Sequence, residues 1–303
     1  MYKLLLVGGC GYIGSYLYPQ LQDDGFEVDI CDLTVRGNPG YPIRFAHDYA
    51  LLTAEQLSDY THVLWFAGHS SVASSKADPI GALRNNCLKL FELTQKLAPH
   101  ARIIYASTAS LYSCADRIPL PSLEEQLLSP SNNPYDISKF AFDYIAAGFV
   151  NDFVGLRMGT LCGHSPNLRR ELIFNKMNLS ALERGKVEVS NRQSYRSLLF
   201  LSDLYQVVRH CVEIEKITSG FINVASLSLS IGEIAERIAA HHQVGVIEHA
   251  DIPGYSFMLD VRKARQLLRH RFDEDFSGQC MAFTACERAM SNARQQTGQR
   301  SCM

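Results

Sequence analysis

No apolar run in this 303-residue chain approaches bilayer length, so the sequence offers no membrane-spanning helix. No long run of one charge sign appears either. The 29 basic and 31 acidic residues leave a net charge of −2, which gives no sign of nucleic acid or an anionic membrane surface as a partner. The nine cysteines, at positions 10, 31, 87, 114, 162, 211, 280, 286 and 302, form no C-x-x-C pair, and no metal site is expected. Their odd number and scatter suit a reducing cytoplasm. The chain opens on a core-strand pattern rather than a charged and apolar leader, so no signal peptide is expected. No internal repeat or low-complexity stretch appears. Apolar residues are plentiful at 47 %, enough for one large domain or two small ones.

The most informative stretch spans residues 4–14, Leu-Leu-Leu-Val-Gly-Gly-Cys-Gly-Tyr-Ile-Gly. Its apolar run has the length of a strand buried on both faces, and residues 12–21 follow at helical spacing. Strand, glycine turn and helix start form the layout that holds a dinucleotide pyrophosphate. Gly8 permits the reversal, Gly11 lets backbone approach phosphate, and Gly14 lets helix pack on strand. Residues 26–31 read as a second strand ending at Asp32, 18 residues after Gly14. A carboxylate there bonds the adenosine ribose and repels the NADP phosphate, so NAD is favoured. Arg36 nearby keeps NADP open.

Residues 43–45 read as a short third strand, followed by Asp48, which either meets an adenine edge or is an ordinary solvated loop acid. Residues 61–66 form a fourth strand leading into Ala67, Gly68, His69 and Ser70. Residues 79–97 read as one long helix carrying Asn85 and Asn86. Residues 102–106 form a fifth strand before Ser107 and Thr108, and 153–157 a sixth. Alternation of this kind predicts an α/β fold, a doubly wound parallel sheet with ligands at the strands' carboxyl ends. Residues 113–133 are loop-like. Asn133 reads as an N-cap, Pro134 as the first helical residue, and Asp136 as an acid suited to the positive helix start. After Gly163 the elements shorten: helices at 171–184, 202–212, 230–241, 261–269 and 278–294, strands at 197–201 and 221–224. Residues 1–163 are read as the dinucleotide-binding domain. Residues 164–303 are read as a smaller substrate-binding lobe, with strands near 197–224 returning to the main sheet.

Tyr135 and Lys139 are four apart on one helix face. An ammonium beside a phenol favours phenolate, and lowering a tyrosine pKa from 10 to near 7 takes roughly 4 kcal/mol. His241-His242 lack a third ligand and read as a helix end. Cys162 and Trp65 read as core, and Tyr112 as a packing residue.

Taken together, Gly-Gly-Cys-Gly-Tyr-Ile-Gly, Asp32, Phe66-Ala67-Gly68, Asn85-Asn86, Ser107-Thr108-Ala109-Ser110-Leu111-Tyr112, Pro134-Tyr135-x-x-x-Lys139 and Leu156-Arg157 resemble the extended short-chain dehydrogenase/reductase family, especially its nucleotide-sugar epimerases and dehydratases. The resemblance covers residues 3–163 well and loosens afterwards. It implies a triad. Thr108 would hydrogen-bond the reacting hydroxyl, Tyr135 would be the general base, and Lys139 would hold the nicotinamide ribose and depress the Tyr135 pKa. It implies NAD contacts from Gly8, Gly11, Tyr12, Ile13, Gly14, Asp32, Asp48, Phe66, Ala67, Gly68, Asn85 and Asn86, besides Tyr135 and Lys139. It implies substrate contacts from Ser70, Thr108, Thr160 and Arg196, the last in the family's diphosphate-binding segment. Ala109 and Ser110 stand where family dehydratases carry acids, which argues against water elimination. The expected activity is epimerisation of a nucleotide sugar by transient oxidation. The alternatives are a reductase or dehydrogenase of a keto sugar, and a catalytically silent dinucleotide sensor. A homodimer is expected from the family, through helices near 80–98 and 134–150.

Overall fold

The computed structural model describes residues 2–113, 120–126, 128, 132–252 and 254–300, without the side chains of residues 291 and 293–300. Part of the expected 113–133 loop, with Cys114, and Cys302 lie outside the described residues. Six parallel strands form the central sheet, in the order Gly220–Val224, Phe153–Met158, Arg102–Thr108, His62–Trp65, Lys3–Val7 and Glu27–Cys31. The unbroken apolar run at its centre has a direct cause. Leu4 and Leu6 face one hydrophobic cluster, and Leu5 and Val7 face another on the opposite side. Helix Tyr12–Asp23 buries Leu17 and Leu21 in the first cluster. Helix Pro134–Phe149 buries Phe142 and Ala146 in the second. The Asn133 side chain caps that helix, accepting from the Asp136 amide at 3.0 Å.

From Lys3–Val7 the chain goes first to Glu27–Cys31 on one side, then returns to His62–Trp65 on the other. That reversal opens a crevice at the carboxyl ends of the two inner strands.

Three expectations change. Residues 43–45 form no strand; Phe45 alone bridges to Cys31. Pro39 and Pro42 lie just before this segment and lack the N–H that a ladder needs. The 79–97 helix is interrupted by a π-helical turn at Arg84–Leu88, between Pro79–Leu83 and Lys89–Thr94. Of the later strands, Gly220–Val224 joins the main sheet. Tyr195–Phe200 lies between Leu227–Ser230 and Thr160–Cys162 in a separate three-stranded sheet. Gly159 marks the departure: a Cβ there would lie 2.6 Å from the Ser197 carbonyl oxygen, so only glycine lets the two backbones approach.

Helix Pro134–Phe149 is locked to the sheet by a buried ionic cluster. The Asp143 carboxylate accepts from Arg157 Nε at 3.1 Å, Ser107 Oγ at 2.9 Å and the Tyr105 hydroxyl at 3.0 Å. Arg157 also donates to the Tyr112 hydroxyl and the Glu124 carbonyl and lies over the Phe221 ring. Tyr112 is thus a packing and hydrogen-bonding residue, as expected.

Candidate active site

The glycine turn is a cradle with no room for side chains. Gly8 takes φ +90°, and a Cβ there would lie 2.9 Å from the Phe66 carbonyl group and the Ala67 nitrogen. A Cβ on Gly14 would lie 2.2 Å from the Gly8 carbonyl oxygen. Strand and helix therefore meet at contact distance, and the amides at the start of Tyr12–Asp23 stay open. Around the turn lies a cavity of 420 Å³, a size that suits a small-molecule cofactor. Among its lining residues are Gly8, Gly11, Tyr12, Ile13, Asp32, Asp48, Phe66, Ala67, Gly68, Ser70 and Asn85, which sequence reasoning had grouped. The other residues singled out, Gly14, Asn86, Thr108, Tyr135, Lys139, Thr160 and Arg196, are not among them.

Asp32 is fixed by its neighbours: Oδ2 accepts from the Cys10 amide at 2.9 Å and Oδ1 from the Thr34 amide at 2.6 Å. Asp48 is tied to Lys89 and to the Ala50 amide. Burial pushes its carboxyl up, but these bonds bring it below the ordinary value. The Tyr12 hydroxyl turns to the Gly163 carbonyl at 2.7 Å and accepts from Asn175, so its ring anchors the helix start to the following segment. The glycine cradle, the cavity and the Asp32 carboxylate fit a bound NAD.

Asn86 is fully buried. Its Oδ1 accepts from the His69 amide at 2.9 Å, and Nδ2 donates to the His69 carbonyl and to Ser138 Oγ, each at 3.0 Å. It holds the loop after His62–Trp65 against the Tyr135 helix. Adjacent helical residues point about 100° apart, so Asn85 and Asn86 serve different neighbours.

Thr108 ends the Arg102–Thr108 strand, and Tyr135 opens its helix. The Thr108 hydroxyl favours the ionised form of the Tyr135 phenol. Lys139 is buried on the same helix, four residues on. Its Nζ donates to the Ala106 carbonyl at 2.8 Å and lies 4.6 Å from the Trp65 ring centroid. Burial pulls the Lys139 pKa down to about 7.

Burial first raises the Tyr135 pKa above its ordinary value, and the Asp136 charge adds to that. The Thr108 hydroxyl and the positive charge of Arg169 pull the other way. Arg169 was not anticipated. It lines the cavity, donates to the Ser70 carbonyl at 3.0 Å and pairs with Glu171. It links the cavity electrostatically to the tyrosine. In sequence it stands in a polar loop without a motif; the pair Arg169-Arg170 after Pro166 was the available signal.

Arg196 lies over the Phe257 ring and donates to its neighbour's carbonyl, that of Tyr195. Burial pulls its pKa down to about 10. Thr160 begins the strand Thr160–Cys162 opposite Leu198, and the next residue, Leu161, lines the cavity. Cys162 and Trp65 are core, and His242 bonds Asn178. No cluster of metal-ligating side chains occurs among the described residues. No helix among them is long and apolar enough to cross a membrane.

Comparison with known proteins agrees with this geometry. The chain is 29 % identical over 280 residues to a UDP-glucose 4-epimerase of Halalkalibacterium halodurans, covering 88 % of this chain and 80 % of that one. A UDP-glucose 4-epimerase of Streptococcus mutans is 29 % identical over 180 residues, 54 % of this chain and 53 % of that one. In fold, the chain resembles MoeE5 solved with UDP-glucose and NAD, at a TM-score of 0.82 and 22 % identity, covering 95 % of this chain and 99 % of that one. The UDP-glucose 4-epimerase of Thermotoga maritima, solved with UDP-glucose, has a TM-score of 0.83 at 17 % identity, with coverage of 95 % and 99 %. The model of the NAD dependent epimerase/dehydratase family matches residues 4–225, and the chain belongs to that family.

Proposed function

We propose that this chain is an NAD-dependent epimerase of a nucleotide sugar, acting by transient oxidation of a sugar hydroxyl. The observation that carries the reading is the placing of Tyr135, at the start of its helix, where the Thr108 hydroxyl at the carboxyl end of a central strand acts on it, in a fold whose glycine cradle fits NAD. Likeness to UDP-glucose 4-epimerases adds to it. Residues 1–163 hold the cofactor and residues 164–303 the substrate, except that Gly220–Val224 completes the sheet.

In this reading Tyr135 accepts the proton of the reacting hydroxyl and Thr108 orients that hydroxyl. NAD, when bound, supplies the hydride acceptor. Lys139 holds the nicotinamide ribose, and Arg169 faces the phosphate-bearing cavity. Tyr135 returns its proton when the keto sugar is reduced on its other face. Arg196 takes the substrate diphosphate. It is a cation with no carboxylate partner among the described residues, and it stacks on Phe257. Arg196→Gln is expected to raise KM about tenfold or more while leaving kcat within a few-fold, because it removes uniform binding. An unchanged KM excludes that role.

A net keto-sugar reductase is the second reading. Arg36 lines the cavity, where it would face an NADP phosphate. Incubation with a panel of nucleotide sugars and assignment of products by NMR decides. Epimers without net consumption of NADH support the first reading; stoichiometric oxidation of NADH by a keto sugar supports the second. A silent sensor would give neither.

We infer a homodimer through exposed apolar residues on helices Pro79–Leu83 and Pro134–Phe149. Ile80, Tyr144 and Phe149 are each more than two-thirds exposed. A monomer in sedimentation velocity at micromolar concentration excludes it. A cytoplasmic location fits the free thiols of seven described cysteines, and cell fractionation checks it.

A further inference from the structure

Trp65 is the single tryptophan of the chain and is fully buried. It ends the strand His62–Trp65, the neighbour of Arg102–Thr108 in the sheet. The Lys139 ammonium stands over its ring, 4.6 Å from the centroid. Within about 6 Å a cation is drawn to the negative face of an aromatic ring, most strongly to an indole and in a dry site. The ring is held from other sides as well. The Tyr49 ring meets it edge-on at 6.1 Å. A Cβ on Gly68 would lie 3.0 Å from its Cη2 atom, so the absent side chain there makes room for the indole. Tyr49 and Gly68 both line the cofactor cavity.

Lys139 has little else to balance its charge. Its hydrogen bond goes to the Ala106 carbonyl, on Arg102–Thr108. Asp143, four residues further along its own helix, is the charged group that acts on it. That carboxylate is engaged by Arg157 of Phe153–Met158 and by Ser107 and Tyr105 of Arg102–Thr108. Burial pulls the Lys139 pKa down to about 7, and the Asp143 charge opposes that. The indole face is the further partner that favours the ammonium.

Resting on the reading in which Lys139 holds the nicotinamide ribose, we propose that Trp65 is a positioning residue whose ring face keeps Lys139 charged and in place for the cofactor. In this role Trp65 acts through Lys139. Cofactor binding then prefers the ammonium. Affinity is fully present below the Lys139 pKa of the free chain, and is lost as pH rises from there to its value in the complex.

Trp65→Phe and Trp65→Met test this. Both leave space in the core, but only phenylalanine keeps an aromatic face. NAD affinity is measured by calorimetry against pH. In Trp65→Met the loss of affinity is expected to begin about one pH unit lower than in the parent. Trp65→Phe is expected to recover part of that displacement. A merely structural role weakens binding evenly across the range and moves no onset. The same onset in the parent and Trp65→Met overturns the proposal.

A second readout leaves residue 65 in place. Emission from the single tryptophan reports this ring alone. In the parent the emission maximum is expected to move as pH rises through the Lys139 pKa, and in Lys139→Met to stay fixed. Emission of Lys139→Met that tracks the parent at every pH overturns the proposal, and this comparison decides should Trp65→Met not fold. Neither readout needs a sugar. A panel of sugars left unchanged sinks the epimerase reading while these two results stand.

Discussion

Tyr135→Phe is expected to lose about 10²–10⁴-fold in kcat while keeping NAD affinity. The substitution removes one oxygen from a half-buried ring and leaves its packing in place. The glycine cradle and Asp32, which are proposed to hold the cofactor, lie on other elements. The lost hydroxyl is the phenolic group on which the Thr108 hydroxyl acts at the end of Arg102–Thr108. Titration of NAD by fluorescence and turnover by product NMR check the two halves of the claim separately. Turnover within tenfold of the parent would sink the mechanism.

Asp143→Ala is expected to destabilise the chain by about 3–5 kcal/mol, read as a lower urea midpoint. The loss is large because of what remains behind. Arg157 is buried and keeps its charge, and the Ser107 and Tyr105 hydroxyls lose their acceptor. Burial alone pushes the Asp143 carboxyl up, and Arg157 opposes that. The pair is therefore costly to break but not irreplaceable. Substituting both partners, Asp143→Leu with Arg157→Met, is expected to recover much of the loss. A destabilisation below about 1 kcal/mol for Asp143→Ala, the scale of a surface pair, shows that the cluster is better hydrated than its burial implies. The effect extends beyond stability. Asp143 sits two turns beyond Tyr135 on the same helix and fixes that helix to Arg102–Thr108, the strand that carries Thr108.

The sequence by itself determined the parts of the site that are local. A buried strand, a glycine turn and a helix start lie within eleven residues, and steric exclusion at Gly14 comes from the backbone of the turn itself, at Gly8 and Gly9. Asp32 follows from strand length, and Tyr135 with Lys139 from helical period. The parallel, doubly wound character of the sheet was legible because apolar runs alternated with helical spacing, whereas the strand order came only with the fold. Residues 43–45, Ile-Arg-Phe, misled because alternating apolar residues have no hydrogen-bonding requirement written into them, while the prolines before them do.

The tertiary structure decided what depends on distant partners. Asn85 and Asn86 read alike in sequence, yet one lines the cavity and the other braces a loop. Arg169 reaches the cavity only because its loop folds back over Ser70. Asp136 read as a helix-start acid, and Ser110 as a position where an acid was missing. The fold brings these two within hydrogen-bonding distance, across 26 residues of chain. A carboxylate's neighbours are chosen by packing rather than by sequence spacing. Hence the sequence could place the proposed base on its helix, but only the folded chain gives each buried carboxylate its partners.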